Sequence, residues 1–335
     1  MKKSFYFTLY LFAIGILYFG CTQKNTQKDR DKAFVVLNAE ANTIFSSSAQ
    51  LEVLDSGFTW TEGPLWIDSL NQLLFNDIPP NKTFSWSEEN GTKEYLNPSG
   101  YTDETPRGGE PGANGLVLNP EGKLVLCQHG DRRMAVMKSS LDQPASEFTT
   151  ITDNYLGKKF NSPNDAVFSN AGNLYFTDPP YGLAQPEMQE VPFNGVYRFS
   201  SAGELTVIDS TLSRPNGIAF SPDEKTLYVA NSDPGNAIWM RYTIDDGTGQ
   251  VMERGLFYDA TENAKTEKGL PDGLKVNDEG YVFATGPGGV WVFNPKGTCV
   301  AKIKTGQATS NCAFGKDQNT LFLTADDYLM KATFQ

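Results

Sequence analysis

Six polar residues stand at near-regular intervals along this 335-residue chain, each just ahead of an apolar run: Glu62 in TEGPLW, Asn114 in GANGLVL, Asn164 in SPNDAVF, Asn216 in RPNGIAF, Asp272 in LPDGLKV and Asn311 in TSNCAF. The steps between them are 52, 50, 52, 56 and 39 residues. Carboxylate and amide oxygens are ligands for hard cations, so one such donor per repeat, gathered at a common axis, makes an oxygen-lined cage suited to a metal ion. Glu62, Asn164, Asn216 and Asp272 supply two carboxylates, which balance a divalent charge, and two amide carbonyls. Ca²⁺ fits such a set first, with Mg²⁺, Mn²⁺ or Zn²⁺ as alternatives. Zn²⁺ suits it least, because none of the four residues is His or Cys. Asn-Gly and Asp-Gly are also ordinary turn signals. Turn chemistry accounts for the glycines, but not for Glu62, nor for the uniform placement of all six residues before an apolar run.

A period near fifty residues signals a repeat architecture whose units must position these donors. After each motif come an apolar run, a tight turn of Asn, Asp, Pro or Gly type, and a second apolar run: LLFNDI, LVLCQHG, LYFTDPP, LYVANSD, VFATGPG and LFLTADD. Third and fourth runs follow in most units, and no convincing amphipathic helix intervenes, so the pattern is all-β. The sixth unit has no fourth run before Gln335; Leu51 to Leu54, ahead of the first motif, can supply it. Four-stranded units repeated radially make a β-propeller, and an N-terminal strand completing the last blade closes the ring and removes exposed edges. The prediction is therefore a six-bladed β-propeller over residues 49–335. In that architecture the first strand of each blade lines the axis, so the six motif residues converge there. The irregular connections over 97–113, 179–194 and 259–271 lie at the same end and mark the mouth.

Composition narrows the function classes. The chain is 39% hydrophobic and 20% charged, with a formal net charge of −12 and no basic stripe, which argues against nucleic-acid binding. Lys2 and Lys3 precede an apolar run that ends in Gly20-Cys21. This reads as a lipoprotein-type signal peptide over 1–20, with Cys21 lipidated as the mature N-terminus and residues 22–48 a polar tether. The body of the protein is then expected outside the cytoplasm, on the periplasmic side or at the cell surface, touching a membrane only through that lipid. Cys127, Cys299 and Cys312 remain; they form no complete disulfide framework and no CxxC metal spacing, though Cys299 and Cys312 could face each other on neighbouring strands.

The EGP, PND, PNG and PDG motifs, in this order, resemble those of the gluconolactonase and regucalcin (senescence marker protein) family over essentially all of residues 50–335. CQHGDRR at 127–133, YFTDPPYG at 175–182 and TGPGGVWVF at 285–293 are especially similar to its bacterial gluconolactonase branch. The resemblance implies a six-bladed propeller binding a divalent cation through Glu62, Asn216 and Asp272. Asn164 would contact substrate or a water on that cation, or ligate it directly as in the related phosphotriesterase propellers. One departure is that the regucalcin branch carries an arginine two residues before the PND-type asparagine, where this chain has Ser162, so that branch's mode of sugar recognition is not transferred.

The expected activity is metal-dependent hydrolysis of a small sugar lactone. The cation would polarise the carbonyl and stabilise the oxyanion, and Asp272 or His129 would take a proton from water. His129, the only histidine, ends the second strand of the second unit, which places it beside the mouth. Asn114, Asn164, Asp178 and Tyr181 are the candidate substrate contacts, and Arg132 and Arg133 could attract an anionic substrate. Two other readings use the same residues: an organophosphate or ester hydrolase on the same metal site, and a non-catalytic propeller that binds a glycan or protein around a structural Ca²⁺.

Overall fold

The structure, a computed structural model, describes Arg30, residues 32–245 and residues 247–335. Six four-stranded antiparallel units follow one another along the chain. Blade one comprises Thr61–Ile67, Gln72–Asp77, Lys82–Ser87 and Gly91–Leu96; blade two comprises Ala113–Leu118, Leu124–Gln128, Arg133–Met137 and Phe148–Thr152. Blades three and four begin at Ala166–Phe168 and Pro215–Phe220, and blade five at Leu274–Val276. Blade six contributes Thr309–Phe314, Thr320–Ala325 and Tyr328–Thr333. Its fourth strand is Gln50–Ser56, which pairs antiparallel with Tyr328–Thr333. This is the six-bladed propeller expected from the repeat, closed by the N-terminal strand as the missing fourth run required.

Alternation along the strands explains why the blades pack into a ring. Successive residues of a strand face opposite sides of its sheet, so each blade presents one apolar face to the blade before it and another to the blade after it. In blade five, Phe283 joins the buried cluster shared with blade six, containing Cys312, Leu321 and Leu323. Its neighbours Val282 and Ala284 join the cluster shared with blade four, around Trp239 and Tyr228. The other four inter-blade wedges are built the same way, the last of them joining blade six to blade one through Phe322, Leu73 and Phe75. The core is thus six wedges arranged around an axis that side chains of the first strands line.

The tether expectation is corrected for part of its length. Phe34–Val36 pairs with Cys299–Ile303 as a fifth strand on blade five, and a short 3₁₀ turn over Ala39–Thr43 follows, capped by the Asn38 side chain. Phe34 and Phe45 are buried and stack edge-on at 5.1 Å, and Phe45 meets Phe334 at 5.1 Å. Glu40 accepts hydrogen bonds from the Tyr281 hydroxyl and the Asn294 amide, pinning the turn. Polar letters between these apolar anchors made the segment read as solvated chain. The signal peptide, Cys21 and the tether up to residue 29 lie outside the described residues.

Among the described residues the three cysteines are free: Cys127 and Cys312 are buried in inter-blade wedges, the Cys299 thiol contacts the carbonyl of Ala301, and no Cys299–Cys312 bridge forms.

Candidate active site at the mouth of the propeller

Each motif residue sits where its first strand begins, next to the axis. In blades one, two and four the ladder between the first two strands shifts register there, between Glu62 and Leu65, Ala113 and Leu116, and Pro215 and Ile218. Such bulges re-aim side chains at the end of a strand. The glycine that follows four of the six motif residues has a packing cause, joined at Gly63 by a left-handed backbone of φ 55°. A Cβ on Gly115 would stand 2.7 Å from the carbonyl oxygen of Asn164 in the next blade, and one on Gly273 would stand 2.0 Å from the side chain of Asn311. The backbones of adjacent blades approach too closely here for any side chain.

Residues of the second strands lock that approach. Asn76 donates its amide to the Asn114 carbonyl at 2.6 Å, Thr177 its hydroxyl to the Asn216 carbonyl at 2.7 Å, and Thr285 its hydroxyl to the Ser310 carbonyl at 3.0 Å. Ser310 closes the ring by donating to the Thr61 carbonyl at 2.7 Å. Every one of these bonds joins one blade to the next. They were not picked out from the sequence, although a polar residue near the end of each second run was a visible signal.

Convergence on the axis is direct. Asp165 of blade three meets Asn311 of blade six, on the opposite side of the ring, with Oδ2 3.5 Å from Nδ2, and Lys275 of blade five lies 3.9 Å from the same oxygen. Asp165 is not among the residues that the motif pattern singles out. It occupies the position that holds glycine in four other motifs, and this substitution was the clue.

Above this layer opens a cavity of about 470 Å³, lined among others by Trp60, Glu62, Glu110, Asn114, Asn164 and Tyr181, and on the other side by Arg214, Asn216, Glu267, Leu270 and Asp272. Six of the eight expected site residues, namely Glu62, Asn114, Asn164, Tyr181, Asn216 and Asp272, are therefore brought together. The other two are not on its wall. Asp178 is fully buried and accepts hydrogen bonds from the backbone N–H groups of Asn161 and Ser162 at 2.8 and 2.7 Å, so it clamps the loop that precedes Asn164. His129 is also fully buried, with Glu110 between it and the cavity. Arg132 and Arg133 are used structurally: Arg132 donates to the Phe160 carbonyl and Arg133 to Gln128 and Thr150.

The electrostatics are those of acceptors without donors. Asn114 Oδ1, Asn216 Oδ1 and Asp272 Oδ1 are buried and have no hydrogen-bond partner. Burial pushes the Glu62 carboxyl up to about 8, opposed by the Gly63 N–H and reinforced by the charges of Asp165 and Glu110. Burial likewise drives Asp272 well above the usual carboxylate range, with Glu62, Asp165 and Glu110 adding repulsion. Orphaned buried acceptors cost about 1–3 kcal/mol each, and crowded buried carboxylates resist ionisation unless a positive charge joins them. Among the described residues no three His, Cys, Asp or Glu side chains are arranged as a metal cluster. A cation here would rest on two carboxylates completed by amide oxygens, a donor set that fits a hard divalent ion.

Comparison with known proteins places this architecture. Residues 60–327 match the family described as SMP-30/Gluconolactonase/LRE-like region. The chain belongs to that family. A gluconolactonase of Zymomonas mobilis is 40% identical over 301 residues, spanning 87% of this chain and 83% of that protein. The solved structure of a gluconolactonase from Xanthomonas campestris superimposes with a TM-score of 0.77 at 29% identity, covering 90% of this chain and 95% of the other. A pentonolactonase, XacC, of Haloferax volcanii is 24% identical over 276 residues, covering 81% of this chain and 83% of its own. Within the family, the chain is a lactonase-type hydrolase.

Proposed function

We propose that this protein hydrolyses aldonolactones and that a divalent cation, Ca²⁺ first, is held by Glu62, Asn216 and Asp272 with Asn164 beside them. The observation that carries the reading is the set of donor-less buried oxygens of Asn114, Asn216 and Asp272, contributed by three blades and facing one cavity together with the Glu62 carboxylate. The gluconolactonase and pentonolactonase relatives support the substrate class. When bound, the cation supplies Lewis-acid polarisation of the lactone carbonyl and charge stabilisation of the oxyanion.

The chain's own residues do the rest. Glu62 is held by the Gly63 N–H at 3.0 Å, which fixes its carboxylate before substrate arrives. The Tyr181 hydroxyl donates to the Ser232 carbonyl at 3.3 Å, and burial raises it so that it stays protonated, an uncharged contact for sugar hydroxyls. Trp60 lines the cavity, and its loop is fixed by the Asp77 carboxylate, which accepts from the N–H groups of Thr59 and Trp60. Pre-organised polar groups of this kind need no rearrangement when charge develops. The export and lipid-anchor reading of residues 1–21 belongs to the same proposal and would put the reaction outside the cytoplasm.

The test is hydrolysis of glucono-δ-lactone and a panel of pentonolactones followed by pH-stat, before and after chelation and after Ca²⁺ or Mn²⁺ is returned. Loss with chelator and recovery with the ion is expected. Undiminished hydrolysis by protein shown to be metal-free would remove the cation, and inertness of the metal-loaded protein towards every lactone would remove the substrate class.

A further inference from the structure

Of the four acidic residues that line the cavity, Glu62 and Asp272 belong to the proposed ligand set, and Glu267 is engaged by the Asn263 amide at 3.2 Å and by Lys302 at 3.9 Å. Glu110 is different. Its carboxylate is 39% exposed, opens onto the cavity, and has His129 as its close partner: Oε2 lies 3.4 Å from Nδ1. Behind it, the imidazole is completely buried, and neither ring nitrogen has a hydrogen-bond partner. On a buried ring, one nitrogen with only that longer contact to Glu110 and another with no partner at all are costly and call for a functional explanation.

The loop that carries Glu110 is fastened around that ring. Arg107 donates to the carbonyls of Gly130 and Gly182, and the Gly112 N–H donates to the Ile78 carbonyl at 3.0 Å. Gly130 adjoins His129, and a Cβ on Gly182 would stand 2.6 Å from the His129 Cβ. The chain thus brings two separate loops together over the histidine and fixes Glu110 between the imidazole and the cavity. The charged groups facing this pair are Glu62 and Asp272 across the cavity and Arg107 within the same loop.

We propose that Glu110 is the catalytic base and acid of the lactone hydrolysis and that His129 is its positioning residue. This rests on the lactonase reading above. Glu110 Oε takes a proton from water as the water oxygen bonds to the carbonyl carbon. The tetrahedral adduct then collapses with cleavage of the bond between that carbon and the ring oxygen, and Glu110 returns the proton to the departing alkoxide. One water is added, the hydroxy acid is released, and the carboxylate is regenerated. His129 orients Glu110 from behind through Nδ1. A positioned proton-transfer group of this kind contributes about 10²–10⁴-fold to rate.

The experiment compares wild type, Glu110→Gln, Glu110→Ala and His129→Gln, all loaded with Ca²⁺, on glucono-δ-lactone, with Ca²⁺ affinity measured by calorimetry and melting followed by circular dichroism. Glu110→Gln should lose about 10²–10⁴-fold in kcat, with KM and Ca²⁺ affinity little changed. Formate should partly rescue Glu110→Ala. His129→Gln should lose less, in kcat alone, with KM and Ca²⁺ affinity unchanged. Wild-type kcat in Glu110→Gln overturns the assignment while leaving the lactonase reading intact, as does loss of Ca²⁺ binding in that variant, which would make Glu110 a ligand. A wild-type kcat in His129→Gln, or a loss that falls on KM instead, removes the positioning role. A wild type inert to all lactones overturns the lactonase reading itself, and this assignment with it.

Discussion

Gly217 lies against the peptide carbonyl of Asp272 so closely that a Cβ on the glycine would stand 2.2 Å from that oxygen. The two residues belong to neighbouring blades and follow or constitute proposed cation ligands, so their contact sets how near Asn216 and Asp272 can come. Gly217→Ala must push the blades apart or twist one first strand, and overpacking of this kind costs about 1–3 kcal/mol. Denaturant unfolding should show that loss, and calorimetry should show weaker Ca²⁺ binding. A variant with wild-type stability and affinity would mean that the close approach does not position the ligands.

Asp272→Asn keeps the shape of the side chain and removes its charge. Because the carboxyl is buried beside Glu62 and Asp165, the metal-free protein should be at least as stable as wild type, since a buried group that resists ionisation has gone. Ca²⁺ affinity and turnover should both fall, the latter by about 10²-fold or more. Retained turnover would take Asp272 out of the chemistry.

The pH dependence follows from Asp178, which burial raises to about 7 against the opposing N–H groups of Asn161 and Ser162 and the charge of Arg132. Its folded-state value lies above its unfolded one, so the folded protein holds the proton more tightly. That contribution is complete below the unfolded value and is lost as pH rises through about 7. Stability of the chelated protein should decline over this window by up to about 1.4 kcal/mol per pH unit for one proton. Asp178→Asn should flatten the decline relative to wild type in melts taken from pH 4 to pH 8, because Glu62 and Asp272 contribute equally to both proteins. Parallel curves would sink the attribution.

Phe45→Ala tests whether the segment ahead of the first motif is structural. Its ring is buried between Phe34 and Phe334 at the base of blades five and six. Removing such a ring costs about 3–5 kcal/mol, with the cavity and its chemistry untouched at temperatures where the variant stays folded. A melting point equal to wild type would return this segment to the status of a tether.

Most of the fold was legible because its signals are local. Alternating apolar runs and turn residues repeat with the blade, and the deficit of one strand at the end of the chain is matched by a surplus at its beginning. The motif residues Glu62, Asn114, Asn164, Asn216 and Asp272 could be picked out for the same reason: each occupies one fixed phase of the repeat, and any closed ring must carry that phase to the axis. The family motifs then added the chemical interpretation.

What broke the pattern needed coordinates. Glu110 lies in an irregular loop with no repeat phase, and its role depends on Arg107 tying that loop to Gly130 and Gly182, contacts of 23 and 75 residues in sequence separation. His129 and Asp178 have the right phase at the ends of second strands, yet the loops folded over them bury both. Phe34 and Phe45 join the core only because blades five and six leave an apolar base to be covered. The sequence by itself determined the six-fold ring and the oxygen donors facing its axis, since periodicity is carried by every residue along the chain. Which loop residues complete the site, and which candidates retreat behind its wall, was decided only by the tertiary structure, because those placements depend on packing between segments that share no period.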